Sequence, residues 1–473
     1  MEDDMTPTKI LRPPLSDFGS VRTLALGVVI APLLAPIVLL PEDWAGWLLL
    51  LAAFALVIFH RPFWKNYPLF LTAAFLGLAP IALALVNSYI TTLPGGEIDA
   101  AAFLQRAEYV SLSGDWPSPM FGANAYVSFL ALQFMIFGQS KLLAHASSAF
   151  GTNLGLVVFE RLYTRLSGGR TVSPTTLIIF GLLPSALLNK TAVLREPWEA
   201  LFFSSTVLLL LRLASTWRLA TFFCFLISAL ACSIWHSALS LAALVLLLLA
   251  GGIGLRGTTS TARKVFVAIL LPVIIAPAAW WSINRSLADR RVSAVSEEAF
   301  SSGGIAAIET LAREGAGRAS YAHAPGMTGV ARLPVGFLYY WLAPLPWQVG
   351  NFSDLVALLE NLLRTALLIG SLTAYRLSKG QARTNIALAL SAVLIVELIW
   401  SAGTSNWGTA LRHHVPSYGP LCAMGIFGWQ LYFHHRPMKQ SKRPNTLAGR
   451  NRTFHQCASA SKDCTAPGSR DIS

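Results

Sequence analysis

The chain has 473 residues, 54% of them hydrophobic and only 12% charged, with a mean hydropathy of +0.55. Soluble domains carry about 25% charged residues, so the composition excludes an ordinary soluble enzyme and points to an integral membrane protein. The formal charge of +13 does not argue for nucleic acid. Its Lys and Arg residues are spread over short connections between apolar runs, the pattern that the positive-inside rule produces.

The acidic N-terminus, MEDDMTPTK, lacks the form of a cleaved signal, so the first span is expected to serve as its own. Apolar windows long enough to cross ~30 Å of hydrocarbon fall at Thr23–Leu40, Trp44–Phe59 and Pro68–Ile90. They continue at Leu142–Tyr163, Pro174–Leu188, Pro197–Leu211, Leu219–Trp235, Ala238–Leu255 and Val265–Ile283. Leu355–Tyr375, Asn385–Trp400 and Val415–Phe433 complete the series. The expected fold is all-α and polytopic, with about twelve transmembrane helices over residues 1–433. A basic tail without apolar periodicity, residues 434–473, is expected to be disordered on the cytoplasmic side. Five cysteines at scattered positions suggest neither a zinc site nor a disulfide framework.

With both termini inside, the inner connections carry His60-Arg61-Lys65, Arg161 to Arg170, Arg212 to Arg218, Arg256 to Lys264, Arg376 to Arg383 and His434 to Arg443. The outer connections carry Glu42-Asp43, Glu97 to Asp115 and the polar stretch Arg285 to Arg332. This alternation requires that Tyr126–Phe137, an apolar run of only about a dozen residues, lie on the outer face or dip into it. The outer loops are then residues 91–141 and 284–353. The second ends in LPVGFLYYWLAPLPW, Leu333–Trp347, which reads as an aromatic, proline-broken interfacial piece.

The outer face collects unusual charge. Glu97 and Asp99 follow a Gly-Gly pair at the end of a span. Asp99, before an Ala-rich helix start, reads as an N-cap, a role compatible with orienting an acceptor hydroxyl. Arg195 and Glu196 lie where two spans meet, and His236 falls in an outer turn. Lys190, Arg195, Arg412 and His413 are cations on the side where positive charge is disfavoured, so together they suggest an anion site suited to phosphate. His413 and His414 would diverge on a helix, which argues against a two-His metal site. No Gly-rich nucleotide loop occurs.

These stretches resemble the GT-C glycosyltransferases, multispan enzymes that take sugars from polyprenyl-phosphate carriers. The likeness extends to bacterial exopolysaccharide and protein-mannosyltransferase-like membrane proteins. Asp99, Phe103 and Ala107 look like the acidic run of the first large outer loop in that class. Tyr126 to Gly138 looks like the juxtamembrane helix that follows it. Leu194-Arg195-Glu196 resembles a later acidic turn, and Arg412 with Pro416 and Pro420 resembles the start of a late span. The chain departs from the class in splitting its acids as Glu97-Ile98-Asp99, which leaves open which of the two is the base, and in having no soluble C-terminal domain.

The resemblance implies transfer of a sugar from a polyprenyl phosphate or diphosphate donor at the outer face of a bacterial inner membrane. Asp99 would activate the acceptor hydroxyl, with Glu97 assisting it or holding a divalent cation; no other cofactor is implied. Arg412, with Arg195, Glu196 and His413 beside it, would bind the departing lipid phosphate. The lipid tail would lie in a groove lined by Phe337 to Trp347. The rival class is a transporter, flippase or polymerase of lipid-linked polysaccharide, for which matching halves with broken helices are expected.

Overall fold

The structure is a computed structural model, and it describes residues 40–93, 97–118, 120–256, 319–321, 332–404 and 406–435. The chain divides into units Met1–Phe433 and His434–Ser473. The expected spans Thr23–Leu40 and Val265–Ile283, nearly all of the 284–331 stretch and the tail beyond His435 lie outside the described residues.

The first unit is helical, and among the described residues the only β pairing is an isolated bridge between Ser320 and Asn406. Among the described residues six helices are long and apolar enough to cross a membrane. They are α1 (Trp44–Ile58, with a 3-10 turn from Pro41 before it), α2 (Tyr67–Tyr89), α5 (Lys141–Leu166), α8 (Glu196–Ser215), α12 (Phe352–Leu377) and α13 (Gly380–Gly403). Between α2 and α5 stand two shorter helices, α3 (Glu97–Ser113) and α4 (Ala123–Phe137). The remaining helices are α6 (Pro174–Gly181), α7 (Pro184–Thr191), α9 (Leu219–Trp235), α10 (Ser237–Arg256), α11 (Arg332–Leu342), α14 (Trp407–His413) and α15 (Tyr418–His435).

The expected span Pro174–Leu188 is corrected. It breaks at Leu182-Leu183 into α6 and α7, each eight residues long. The cause is Pro184, whose ring disfavours helical geometry at the preceding residue: Leu183 is extended, with ψ 115°, and Pro184 opens a new helix. The expected spans Leu219–Trp235, Ala238–Leu255 and Val415–Phe433 are also helical, but they are not among the six. The expected N-cap at Asp99 is corrected as well, because α3 already begins at Glu97.

The packing explains where the short helices lie. On α3, Ala100, Ala107 and Val110 are buried, with Phe103 and Leu104 partly so, giving one apolar stripe at helical spacing. That stripe packs on Tyr126, Val127, Leu130 and Phe134 of α4. Arg106 donates to Asn124 at 2.8 Å, and Gly122 donates to the carbonyl of Ile234 near the end of α9 at 2.8 Å. These bonds hold the α3–α4 pair across one end of the bundle. The 15 residues of α4 fall short of a span.

At the opposite end, Lys65 donates to Thr171 at 2.8 Å, His60 meets Glu160 at 3.1 Å, and the Arg170 guanidinium lies 5.5 Å from the Phe427 ring. The basic connections at 60–65 and 161–170 therefore share one end, away from Asp99. Between α12 and α15 the backbones touch. A Cβ on Gly428 would overlap the Gly370 carbonyl, the close approach that small residues permit between apolar helices.

Candidate functional site

Three separate parts of the chain meet at the end covered by α3. Arg412, on α14, is placed there by its own helix cap: Asn406 accepts from the backbone N–H of Gly408 at 2.8 Å. Its Nε donates to Glu196 Oε1 at 2.8 Å, and its Nη2 lies 2.7 Å from the same oxygen. Its Nη1 donates to Asp99 Oδ2 on α3. The two acids differ in exposure, since the Asp99 side chain is 52% exposed and that of Glu196 only 4%. Glu196 Oε2 is buried and has no hydrogen-bond partner.

Glu196 opens α8 and Glu199 lies one turn on, so both acids sit where the helix dipole favours negative charge. Arg195 stands 3.1 Å from Glu199, an ion pair whose alignment falls short of a hydrogen bond. It also donates to the Trp235 carbonyl at 3.3 Å. Glu196, ahead of every other cause, raises the affinity of Arg412 for its proton above an already high value, with Asp99 adding to it against the opposing effect of burial.

The remaining sequence candidates are distributed around this centre. His413 accepts or donates a bond with Thr404 at 2.9 Å and stacks on Trp400 with ring centroids 5.3 Å apart. His236 packs edge-on against both rings, at 5.6 Å from His413 and 5.7 Å from Trp400. Burial pushes its pKa well below the ordinary histidine value, and Arg195, His413 and Arg412 push the same way. It is a neutral imidazole at pH 7. Lys190 is buried with its ammonium 4.8 Å from the Phe180 ring. It borders a void of about 10 Å³ lined also by Thr152, Ser204 and Gly419, room for about one water.

The expected cluster of four cations is therefore not a bare anion hole. Arg412 and Arg195 are faced by Asp99, Glu196 and Glu199, while Lys190 sits apart in its own void. The backbone of Glu97 begins α3, and its side chain lies outside the described residues. Among the described residues no three His, Cys, Asp or Glu side chains group as a metal site.

The Phe337–Trp347 stretch also differs from expectation. Phe337 stacks on Trp341 at 6.0 Å, Tyr340 and Trp341 are buried against the helices, and Trp347 is 78% exposed on a 3-10 turn. A groove of about 710 Å³ lies elsewhere, along α1, α5 and α8.

Behind Arg412 lies a polar network that the sequence reading did not single out. His414 Nδ1 meets Glu397 at 2.5 Å, its Nε2 lies 3.2 Å from the Tyr340 carbonyl, and Ser417 donates to the other Glu397 oxygen. Arg364, fully buried, donates to Asn361 at 2.7 Å and to the Tyr418 hydroxyl at 2.9 Å. Charges inside apolar helices are costly and mark function by default. Arg364 and Glu397 carried that signal in the sequence.

No protein-family profile, curated protein or solved structure matches the chain, and the chemistry of the site rests on its geometry alone.

Proposed function

We propose that the protein is a membrane glycosyltransferase of the GT-C kind, moving a sugar from a polyprenyl-phosphate-linked donor to an acceptor hydroxyl. The observation that carries this reading is the contact of Arg412 with Asp99 and Glu196. One phosphate-binding cation holds an exposed carboxylate and a buried one at the covered end of an apolar bundle. A donor phosphate competes with Asp99 for Arg412, because Asp99 is the exposed and more weakly held partner. Displaced, Asp99 is free to accept a proton.

In the proposed step the acceptor oxygen forms a bond to the anomeric carbon and gives its proton to Asp99. The bond from that carbon to the phosphate oxygen breaks, and the phosphate leaves with the electron pair to Arg412, which stabilises its charge. Glu196 Oε2, buried and without a donor, is a place for an acceptor or sugar hydroxyl to bond. Glu97 assists Asp99 or exchanges roles with it.

The setting we propose is the outer face of a bacterial inner membrane, with about twelve spans and both termini cytoplasmic. The gathering of basic connections at the end away from Asp99 supports it. In a chain whose own cysteines are replaced, a membrane-impermeant thiol reagent added outside should label Cys at Ser113 and not Cys at Arg170. Labelling of the second from outside reverses the orientation.

The broken α6–α7 pair favours a second reading, a transporter of lipid-linked glycans, since discontinuous helices are a feature of transporters. Incubation of purified protein with a polyprenyl-phosphate-linked sugar and an acceptor separates the two. The transferase reading expects free polyprenyl phosphate; translocation of intact donor without its release supports the transporter.

A further inference from the structure

The end opposite Asp99 carries a groove of about 710 Å³ that the proposed reaction does not use. It is bordered by Ala52, Ala55 and Leu56 of α1, by Phe150, Leu154 and Val157 of α5, and by Leu208 and Leu209 of α8. All three helices run in the same direction there, and their C-terminal ends bring His60, Arg161 and Arg212 to one mouth of the groove. From Phe150 to Arg161 helix α5 rises about 16 Å, close to half of a ~30 Å hydrocarbon core. The groove thus has the depth of one leaflet.

Arginine charge gathers at this mouth. Arg165 and Arg161 lie near enough to Arg212 to repel it. Among the described residues no carboxylate forms an ion pair with Arg161, Arg165 or Arg212. Glu160, next to Arg161 in the chain, is bonded elsewhere: Oε2 meets His60 at 3.1 Å and Oε1 accepts from Thr164 at 2.9 Å. Like charges gathered with no acid paired to them repel one another and suit a bound anion. Arginine is the side chain matched to phosphate.

We infer that this groove is a binding site for an anionic phospholipid, with one acyl chain between α1, α5 and α8 and the headgroup phosphate between Arg161 and Arg212. Charge complementarity selects a lipid of net negative charge over a zwitterionic one, whose own cation would meet Arg161 and Arg212. The volume falls in the range of sites that enclose most of a ligand's apolar part.

The test uses the full chain in a neutral detergent, with Tm as the readout, so it does not depend on glycosyl transfer. Phosphatidylglycerol in mixed micelles should raise Tm by roughly 2–4 °C, and phosphatidylcholine or inorganic phosphate should not. The Arg161→Gln, Arg212→Gln variant should lose the shift. Leu154→Trp, which keeps both arginines and fills the groove, should lose it too and gives the answer where the double variant does not fold. A phosphatidylglycerol carrying a photoreactive acyl chain should label the peptide around Leu154. Equal stabilisation of either variant by phosphatidylglycerol overturns the site, as does an equal shift with inorganic phosphate or phosphatidylcholine. Efficient disulfide formation between Cys at Leu154 and Cys placed in residues 23–40 also overturns it, because the chain itself then fills the groove.

Discussion

Arg412 holds Glu196 by a single oxygen: Nε and Nη2 lie 2.8 and 2.7 Å from Oε1, while Oε2 is buried with no donor. The ordinary pairing of a guanidinium with a carboxylate is a fork on both oxygens. Here the geometry leaves one oxygen of the acid and one nitrogen of the base, Nη1, to other groups, and Asp99 takes the latter. Arg412 thereby joins α14 to the start of α8 and to α3.

That joining predicts a structural cost. Glu196→Ala removes the buried partner of a guanidinium that is itself only 23% exposed. Breaking such a pair from one side costs about 3–5 kcal/mol, and the lower end applies because Asp99 and solvent still reach Arg412. A Tm unchanged from wild type would show that the pair carries little of the packing between α8 and α14.

Arg412→Lys keeps the charge and loses the planar fork. Lys reaches one acid at a time, so it cannot bridge Glu196 and Asp99 as Arg412 does. Donor turnover should fall by about 10²–10³-fold, the range for removing a stabilising donor from a developing negative charge. Wild-type turnover in this variant would remove the lipid phosphate from Arg412.

His236 gives a pH dependence of defined sign. Its folded pKa lies below the ordinary value of about 6.5. Above that pH both folded and unfolded chains hold it neutral, and it contributes nothing. As pH falls through about 6.5 the unfolded chain takes up a proton that the folded chain refuses, so stability drops, by at most ~1.4 kcal/mol per pH unit. Between pH 7 and pH 5 the Tm of His236→Gln should fall less than that of wild type; equal falls would show that His236 is protonated where it stands.

Hydropathy made much of the fold legible. Lys141–Leu166 and Phe352–Leu377 are long apolar runs with their own caps, Ser140 accepting from Leu143 and Asn351 from Asp354, so their sequence alone defines them. The brevity of the 126–137 run marked a helix of only 15 residues, Ala123–Phe137, which is not among the six long apolar helices. The break at Leu182-Leu183 was signalled by Pro184 but masked by the continuous apolarity around it. At the site, Arg412 was legible as a cation on the disfavoured face, and Asp99 and Glu196 as acids at the ends of spans. Their mutual pairing was not, since 313 residues separate Asp99 from Arg412 and no local pattern encodes that contact. The Glu397–His414–Ser417 network stayed hidden for the same reason: Glu397 and His414 stand out one by one, and nothing local pairs them.

The central claim is that Asp99, freed from Arg412 by the donor phosphate, takes the proton of the acceptor hydroxyl. Single-turnover transfer from a polyprenyl-phosphate-linked sugar, compared between wild type and Asp99→Asn, tests it most directly. Asn preserves the size of the side chain and an oxygen that can still accept from Arg412, so donor binding should persist. The rate of polyprenyl phosphate release should fall by about 10²–10⁴-fold, the contribution of a positioned proton acceptor. Glu97→Gln should be milder, or comparable if the two acids exchange roles. Release at the wild-type rate by the Asp99→Asn, Glu97→Gln double variant would contradict the account.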